Sequence, residues 1–224
     1  MTHPRFLAHL CLAILAVGST RLRAAAPAGS TELFNGKDLT GWSLVTNPAA
    51  GIATVCHVTA DGVMAVAGKP IGYLLADGTY RNYKLHAEWR WPADAAKSSN
   101  SGFLVYIGSG PIGGKAWPMC IQVQTKLTRA GDLLPMVGAT FAEPLSTKPG
   151  AMTPQLNRRE ESSEKPLGQW NECDIICRDG GIECTVNGVF QNKVTGCHPG
   201  AGQIGIQLEG TPYELRNLVL TPLD

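Results

Sequence analysis

Sustained helical periodicity is nearly missing from this 224-residue chain. No convincing amphipathic stripe recurs at i, i+3, i+4 and i+7, which argues against a helical bundle and an alternating α/β sheet. Concentrated charge is missing too: 19 Lys and Arg against 18 Asp and Glu leave a net charge of +1, and the basic residues are scattered. Without a basic stripe, nucleic acid is not an expected partner. Beyond the N-terminus no second long apolar run suggests a membrane span. The cysteines lack the tight C-x2-C pairs of a structural zinc site.

What the chain does have is glycine (26) and proline (15), spread between short alternating runs. Tyr83 to Trp91 puts Leu85, Ala87, Trp89 and Trp91 on one face and Lys84, His86, Glu88 and Arg90 on the other. Gly102 to Ile107 and Ile121 to Thr125 read as further strands. Asn171 to Cys177 and Ile182 to Val186 flank Asp179-Gly180-Gly181, a hairpin turn signal, and Asn187-Gly188 opens a second tight turn. Near the end, Ile204, Ile206 and Leu208 alternate with Gln203, Gln207 and Glu209. In the last strand Glu214 and Arg216 share a face opposite Leu215 and Asn217. Many short strands with Gly and Pro turns predict an all-β sandwich or barrel. Two stretches interrupt the rhythm: the glycine-rich loop Gly108 to Pro118, and a polar excursion from Thr128 to Pro166 carrying Arg158-Arg159-Glu160-Glu161.

The N-terminus reads as a removable secretory signal over residues 1–28. Arg5 precedes the apolar run Phe6 to Gly18, and Ala24-Ala25-Ala26-Pro27-Ala28 supplies small residues for cleavage after Ala28 or Ala26. The expected location is periplasmic or secreted, with residues 29–224 as a single domain and no membrane attachment after cleavage. Cys56, Cys120, Cys173, Cys177, Cys184 and Cys197 remain, an even number compatible either with disulfides or with buried thiols.

Several motifs occur in a fixed order: Thr31 to Trp42 (TELFNGKDLTGW), Asn100-Ser101-Gly102, Trp117-Pro118 to Gln124, Gly131-Asp132, Glu164-Lys165-Pro166 with Trp170-Asn171, and Glu209 to Asn217 (EGTPYELRN). Together they resemble the 3-keto-disaccharide hydrolase domain family, from about Glu32 to Leu223. The resemblance implies a concanavalin A-like lectin/glucanase jelly-roll sandwich, two antiparallel sheets with a concave carbohydrate-binding face. It implies an exported enzyme that cleaves glucosides or disaccharides oxidised to a ketone at C3, by elimination and then hydration. Such chemistry needs a general base for the C2 hydrogen and a cation, metal or donors for the enolate.

On that resemblance, Glu88 and Glu209 are the catalytic candidates. Gln122, Gln124, Asn100, Tyr106, Trp117 and Arg90 are the substrate-binding ones. The family commonly shows Glu-x-Gln where this chain has Gln122-Val123-Gln124, and often an arginine where it has Tyr106. Gln122 cannot act as a base, so a non-catalytic carbohydrate-binding module is the alternative reading. A divalent metal is compatible with the chemistry, with Asp132 as a ligand or a turn former. Glu88 with Arg90, and Glu214 with Arg216, read either as site residues or as surface ion pairs. Trp117 reads as a sugar-stacking ring or a loop anchor. Trp42 and Trp170 read as packing residues, and the lone His57, His86 and His198 as structural or exposed rather than as bases.

Overall fold

The computed structural model of the protein describes residues 28–111 and 116–224, so all but the last residue of the expected leader lies outside the described residues. In chain order the elements are β1 (Thr31–Glu32), β2 (Trp42–Asn47), a single helical turn α1 (Ile52–Val55), β3 (Cys56–Val58), β4 (Met64–Val66), β5 (Ile71–Ala76), β6 (Tyr83–Arg90) and β7 (Gly102–Ser109). They continue with β8 (Met119–Gln124), β9 (Leu133–Met136), β10 (Asn171–Arg178), β11 (Gly181–Val186), β12 (Val189–Val194), β13 (Gln203–Leu208) and β14 (Tyr213–Pro222). These form two antiparallel sheets. One has the order β12-β11-β10-β6-β14-β4-β3, with β1 also paired to β14; the other has the order β2-β5-β13-β7-β8-β9. This is the all-β sandwich expected from the alternating runs. Among the described residues no helix is long and apolar enough to cross a membrane.

Period-2 patterning builds the interior. Along β6, Tyr83, Leu85, Ala87 and Trp89 are buried while Lys84, His86, Glu88 and Arg90 reach the surface. From the other sheet Phe103, Val105, Ile121, Val123, Ile204 and Ile206 face the same core. Aromatic rings join the layers edge to face, Trp89 to Phe103 at 6.3 Å and Tyr83 to Tyr106 at 6.4 Å. Trp42 packs at the edge, its indole N–H donating to the Leu33 carbonyl at 2.7 Å. The turns follow their sequence signals: Asp179-Gly180 and Asn187-Gly188 each take two successive positive φ values, as two-residue hairpins require.

Two bulges change the reading of the strands. In β7 the pairing shifts between Val105 and Ser109, and Tyr106 takes a left-handed φ of 55°. In β14 the register shifts between Arg216 and Val219, with Asn217 at φ 52°. An inserted residue reverses the side-chain alternation beyond it. Asn217 therefore shares a face with Arg216 instead of opposing it.

All six cysteines of the described residues are free and buried. Cys173 and Cys184 lie closest, with their sulfurs 3.7 Å apart. The thiols pack as small apolar side chains. The Thr128 to Pro166 excursion is tied down by β9, by a bridge from Leu133 to Leu156 and by another from Thr140 to His198.

Candidate functional site

The outward face of the six-stranded sheet carries a chain of amides ending on a carboxylate. Gln122 and Gln124 project from β8, Gln207 from β13, and Glu209 follows the end of β13. Between β8 and β13 runs β7, and its first residue, Gly102, lies beside Gln124 and near Ile206 through the Phe103 pairing. Glycine is required there for space. A Cβ at 102 would stand 2.5 Å from Gln122 Nε2, directly in the path of that side chain. With the path clear, Gln122 Nε2 crosses β7 and donates to Gln207 Oε1 at 2.8 Å. A longer contact of 3.4 Å runs from the same nitrogen to the Ser101 carbonyl.

The two residues before Gly102 complete the arrangement. Ser101 Oγ donates to the Gln207 main-chain carbonyl at 2.7 Å, as does the Tyr213 hydroxyl. Asn100 Nδ2 donates to Glu209 Oε2 at 2.8 Å. Because Gln207 Oε1 is occupied by Gln122, only the Gln207 NH2 group is left to face the Glu209 carboxylate, whose charged form it favours. Burial pushes the Glu209 carboxyl above its ordinary value, and the Lys126 charge and the Gln207 amide only partly offset this. Gln122, Gln124 and Gln207 are buried, whereas Asn100 and Glu209 at the rim stay partly exposed. The site thus offers one carboxylate of raised pKa, a lysine charge and several amides within a connected network.

Other expected residues lie elsewhere. Glu88 and Arg90 are on the outward face of the eight-stranded sheet, with the whole core between them and Glu209. Their partners are cross-strand. Glu88 faces Arg216, whose Nε donates at 2.8 Å, and Arg90 faces Glu214, its Nε at 2.6 Å. Pairing along one strand, Glu88 with Arg90 or Glu214 with Arg216, is therefore not what forms. Asn217 Nδ2 reaches Glu88 Oε1, His86 Nδ1 meets Asp174 at 2.9 Å, and Lys84 meets Asp174 at 3.0 Å. The Trp170 ring lies against both guanidiniums, 4.6 Å from Arg90 and 4.0 Å from Arg216. This is a ladder of ion pairs across strands β10, β6 and β14.

Tyr106 is in the core rather than on the amide face. The β7 bulge turns it inward, where its hydroxyl donates to the Gly181 carbonyl at 3.0 Å. Trp117 is half-buried just before β8 begins, whereas Gln124 ends that strand. Asp132 is wholly buried between two arginines, though its Oδ2 has no hydrogen-bond donor among the described residues. Its Oδ1 accepts the Arg158 backbone N–H at 2.8 Å and its Oδ2 lies 3.1 Å from Arg129 Nε. The adjacent guanidiniums already balance its charge, and among the described residues no three His, Cys, Asp or Glu side chains converge to hold an ion. Asp132 instead fastens the excursion to the sheet. Lys126, Ser101 and Gln207 are the site residues that motif reading passed over. Gln207 and Lys126 each carried a signal, the first two residues before Glu209 and the second two after Gln124.

The motif order that frames this site has a definite source. The sequence model of the 3-keto-alpha-glucoside-1,2-lyase-like domain matches residues 29–221. The chain belongs to this family. No curated protein matches the chain. Among solved structures, a candidate glycosyl hydrolase from Parabacteroides distasonis ATCC 8503 superposes with a TM-score of 0.62 at 22% identity, over 88% of this chain and 95% of that one. The carbohydrate-binding module CBM66 of Bacillus subtilis gives 0.56 at 10% identity, over 81% and 96%. LamAcat of Zobellia galactanivorans gives 0.53 at 10%, over 85% and 93%. At such identities the likeness is one of fold, and one fold hosts both catalytic and purely binding sites. In this chain a neutral Gln122 donates to Gln207, whose amide lies next to the carboxylate of Glu209 in the network.

Proposed function

We propose that this domain is an exported carbohydrate-active enzyme that cleaves 3-keto-glucosides or 3-keto-disaccharides by elimination followed by hydration. The observation that carries the reading is the Gln122–Gln207–Glu209–Asn100 chain, which presents one hydrogen-bonded carboxylate of raised pKa beside a lysine charge. A C3 ketone acidifies the C2 hydrogen, and Glu209 removes that proton. The Lys126 charge and the Asn100 amide stabilise the enolate. Collapse of the enolate forms the C1=C2 bond and expels the C1 oxygen substituent, which takes the proton from Glu209. Water then adds its oxygen to C1 and gives a proton to Glu209, which passes it to C2, so the products equal those of hydrolysis. A carboxyl whose pKa is raised toward neutrality suits such proton exchange.

The test is to incubate the protein with a 3-keto-glucoside and with the parent glucoside in D2O. The expected outcome is turnover of the oxidised substrate alone, with enzyme-dependent deuterium at C2 of the released sugar. Glu209→Gln should slow turnover by about 100-fold or more. Absence of turnover together with measurable sugar binding would support a second reading, a sugar-binding module, which the neutral Gln122 favours. Export rests on the residue pattern of positions 1–28. It predicts that protein recovered from the periplasm or medium begins at Pro27 or Gly29.

A further inference from the structure

A cavity of about 720 Å³ opens on the eight-stranded sheet, on the opposite side of the sandwich from Glu209. Its floor is a row of outward side chains that the strand registers bring together: His57 on β3 pairs with Ala65 on β4, Ala65 with Glu214 on β14, and Glu214 with Arg90 on β6. The alanine in the middle of this row leaves the floor low. Ala67, Trp91, Pro92 and Pro212 supply apolar walls, and Thr54 of the single helical turn adds a hydroxyl. Ligand pockets typically run about 300–1,000 Å³ and combine apolar lining with a few placed polar groups. This one has that size and that make-up.

Two features define what would fit. Among the described residues the only acid and the only guanidinium in the lining, Glu214 and Arg90, are paired with each other, so these residues offer no uncompensated charge to an ion. Arg90 Nε and Nη2 both engage Glu214 Oε2, so the pair leaves Arg90 Nη1 as a donor and Glu214 Oε1 as an acceptor. In addition, the Trp91 ring packs edge to face on Tyr213 with its indole N–H sealed from solvent, so Trp91 offers the cavity only apolar surface. A neutral ring with hydroxyls on its rim and a C–H face matches both the paired polar groups and the walls.

We propose that this cavity is a second carbohydrate site, taking one neutral pyranose ring. It rests on the carbohydrate reading of the domain, though not on Glu209 chemistry, and it would hold one sugar of a longer glycan apart from the reacting centre. The test is a 1H–15N titration of the full-length protein with methyl α-glucopyranoside, which carries no ketone. The expected result is that the Trp91 indole and the Ala65 and Ala67 amide signals shift together along one isotherm. In Ala65→Trp, which fills the floor, those shifts are lost while the melting transition and any 3-keto-glucoside turnover persist. His57→Ala, at an exposed position, should weaken the same shifts several-fold without affecting folding. Unmoved Trp91 and Ala65 signals at the highest sugar concentration would overturn the proposal, as would signals that move with phenol and not with the glucoside. A protein inert toward 3-keto substrates whose Trp91 signal still responds to the glucoside sinks the elimination reading and leaves this one standing.

Discussion

At the scale of single residues, the decisive one is Gln122, because its NH2 group fixes which way the next amide faces. A donor at 122 holds Gln207 Oε1, and Gln207 must then offer its own NH2 to Glu209. Gln122→Glu replaces the donor with an acceptor. Gln207 would turn its NH2 toward residue 122 and its carbonyl toward Glu209, removing a donor from that carboxylate and adding a like charge nearby. Both changes favour the protonated acid. Glu209 already sits above its ordinary value through burial. A base works in its ionised form, so activity rises with pH through its pKa. Gln122→Glu should therefore move the acidic limb of the kcat/KM profile to higher pH, and the side-chain carboxyl 13C titration of Glu209 should move with it. An unmoved limb would remove Gln122 from any role in tuning the base. Gln124 and Asn100 could be placed near the site from motif spacing alone, whereas the pairing of Gln122 with Gln207 could not, since it depends on a crossing over a third strand.

Among the elements, the informative one is the ladder formed by β10, β6 and β14. Burial would raise the Glu88 carboxyl, but His86, Asn217 and Arg216 outweigh it and hold it at about 2 against an ordinary 4.5. Asp174, with Glu88 behind it, raises His86 from 6.5 to about 9. His86 stands 3.9 Å from Glu88, an ion-pair distance rather than a hydrogen bond, so the larger share of the Glu88 effect is assigned to Arg216 and Asn217. The two signs bracket a window. The stabilisation from Glu88 is complete above about 4.5 and is lost as pH falls toward about 2. That from His86 is complete below 6.5 and is lost as pH rises toward about 9. Melting temperature measured against pH should fall on both sides of this window. Glu88→Gln should flatten the acid side and cost about 2 kcal/mol at neutrality after allowance for solvent screening. The alternation of β6 was legible in the sequence and placed these charges on one face. Their partners were not legible, because cross-strand pairing depends on register, and the β14 bulge that brings Asn217 to Glu88 breaks the period on which the strand reading relied.

For the whole molecule, the sequence carried the architecture further than the site. Turn dipeptides and period-2 runs specified the hairpins and the all-β class, because those signals are local. Tyr106 escaped because one inserted residue in β7 reverses its side, and Asp132 because its partners Arg129 and Arg158 come together only when the excursion folds back. The cysteines were open to either bridging or burial, and packing decides for burial. Burial pushes the thiols of Cys56, Cys177 and Cys197 up to about 12 and that of Cys120 higher still. The thiolate is the reactive form. A thiol-specific reagent at neutral pH should therefore leave these cysteines unlabelled in the native protein and label all of them in denaturant. Labelling of the native state would mean that the two sheets separate far more readily than their packing implies.

Gly102 has a bearing on how such a site can change over time. Gln and Glu have the same heavy-atom shape and codons that differ by a single base, and the passage over residue 102 admits either. The identity of residue 122 can thus be exchanged without rebuilding a strand, moving negative charge on or off that position while Glu209 waits at the other end of the same amide chain. A residue with no side chain is what makes this part of the protein evolvable, and a screen for new activities should vary positions 122, 207 and 209 together while leaving position 102 untouched.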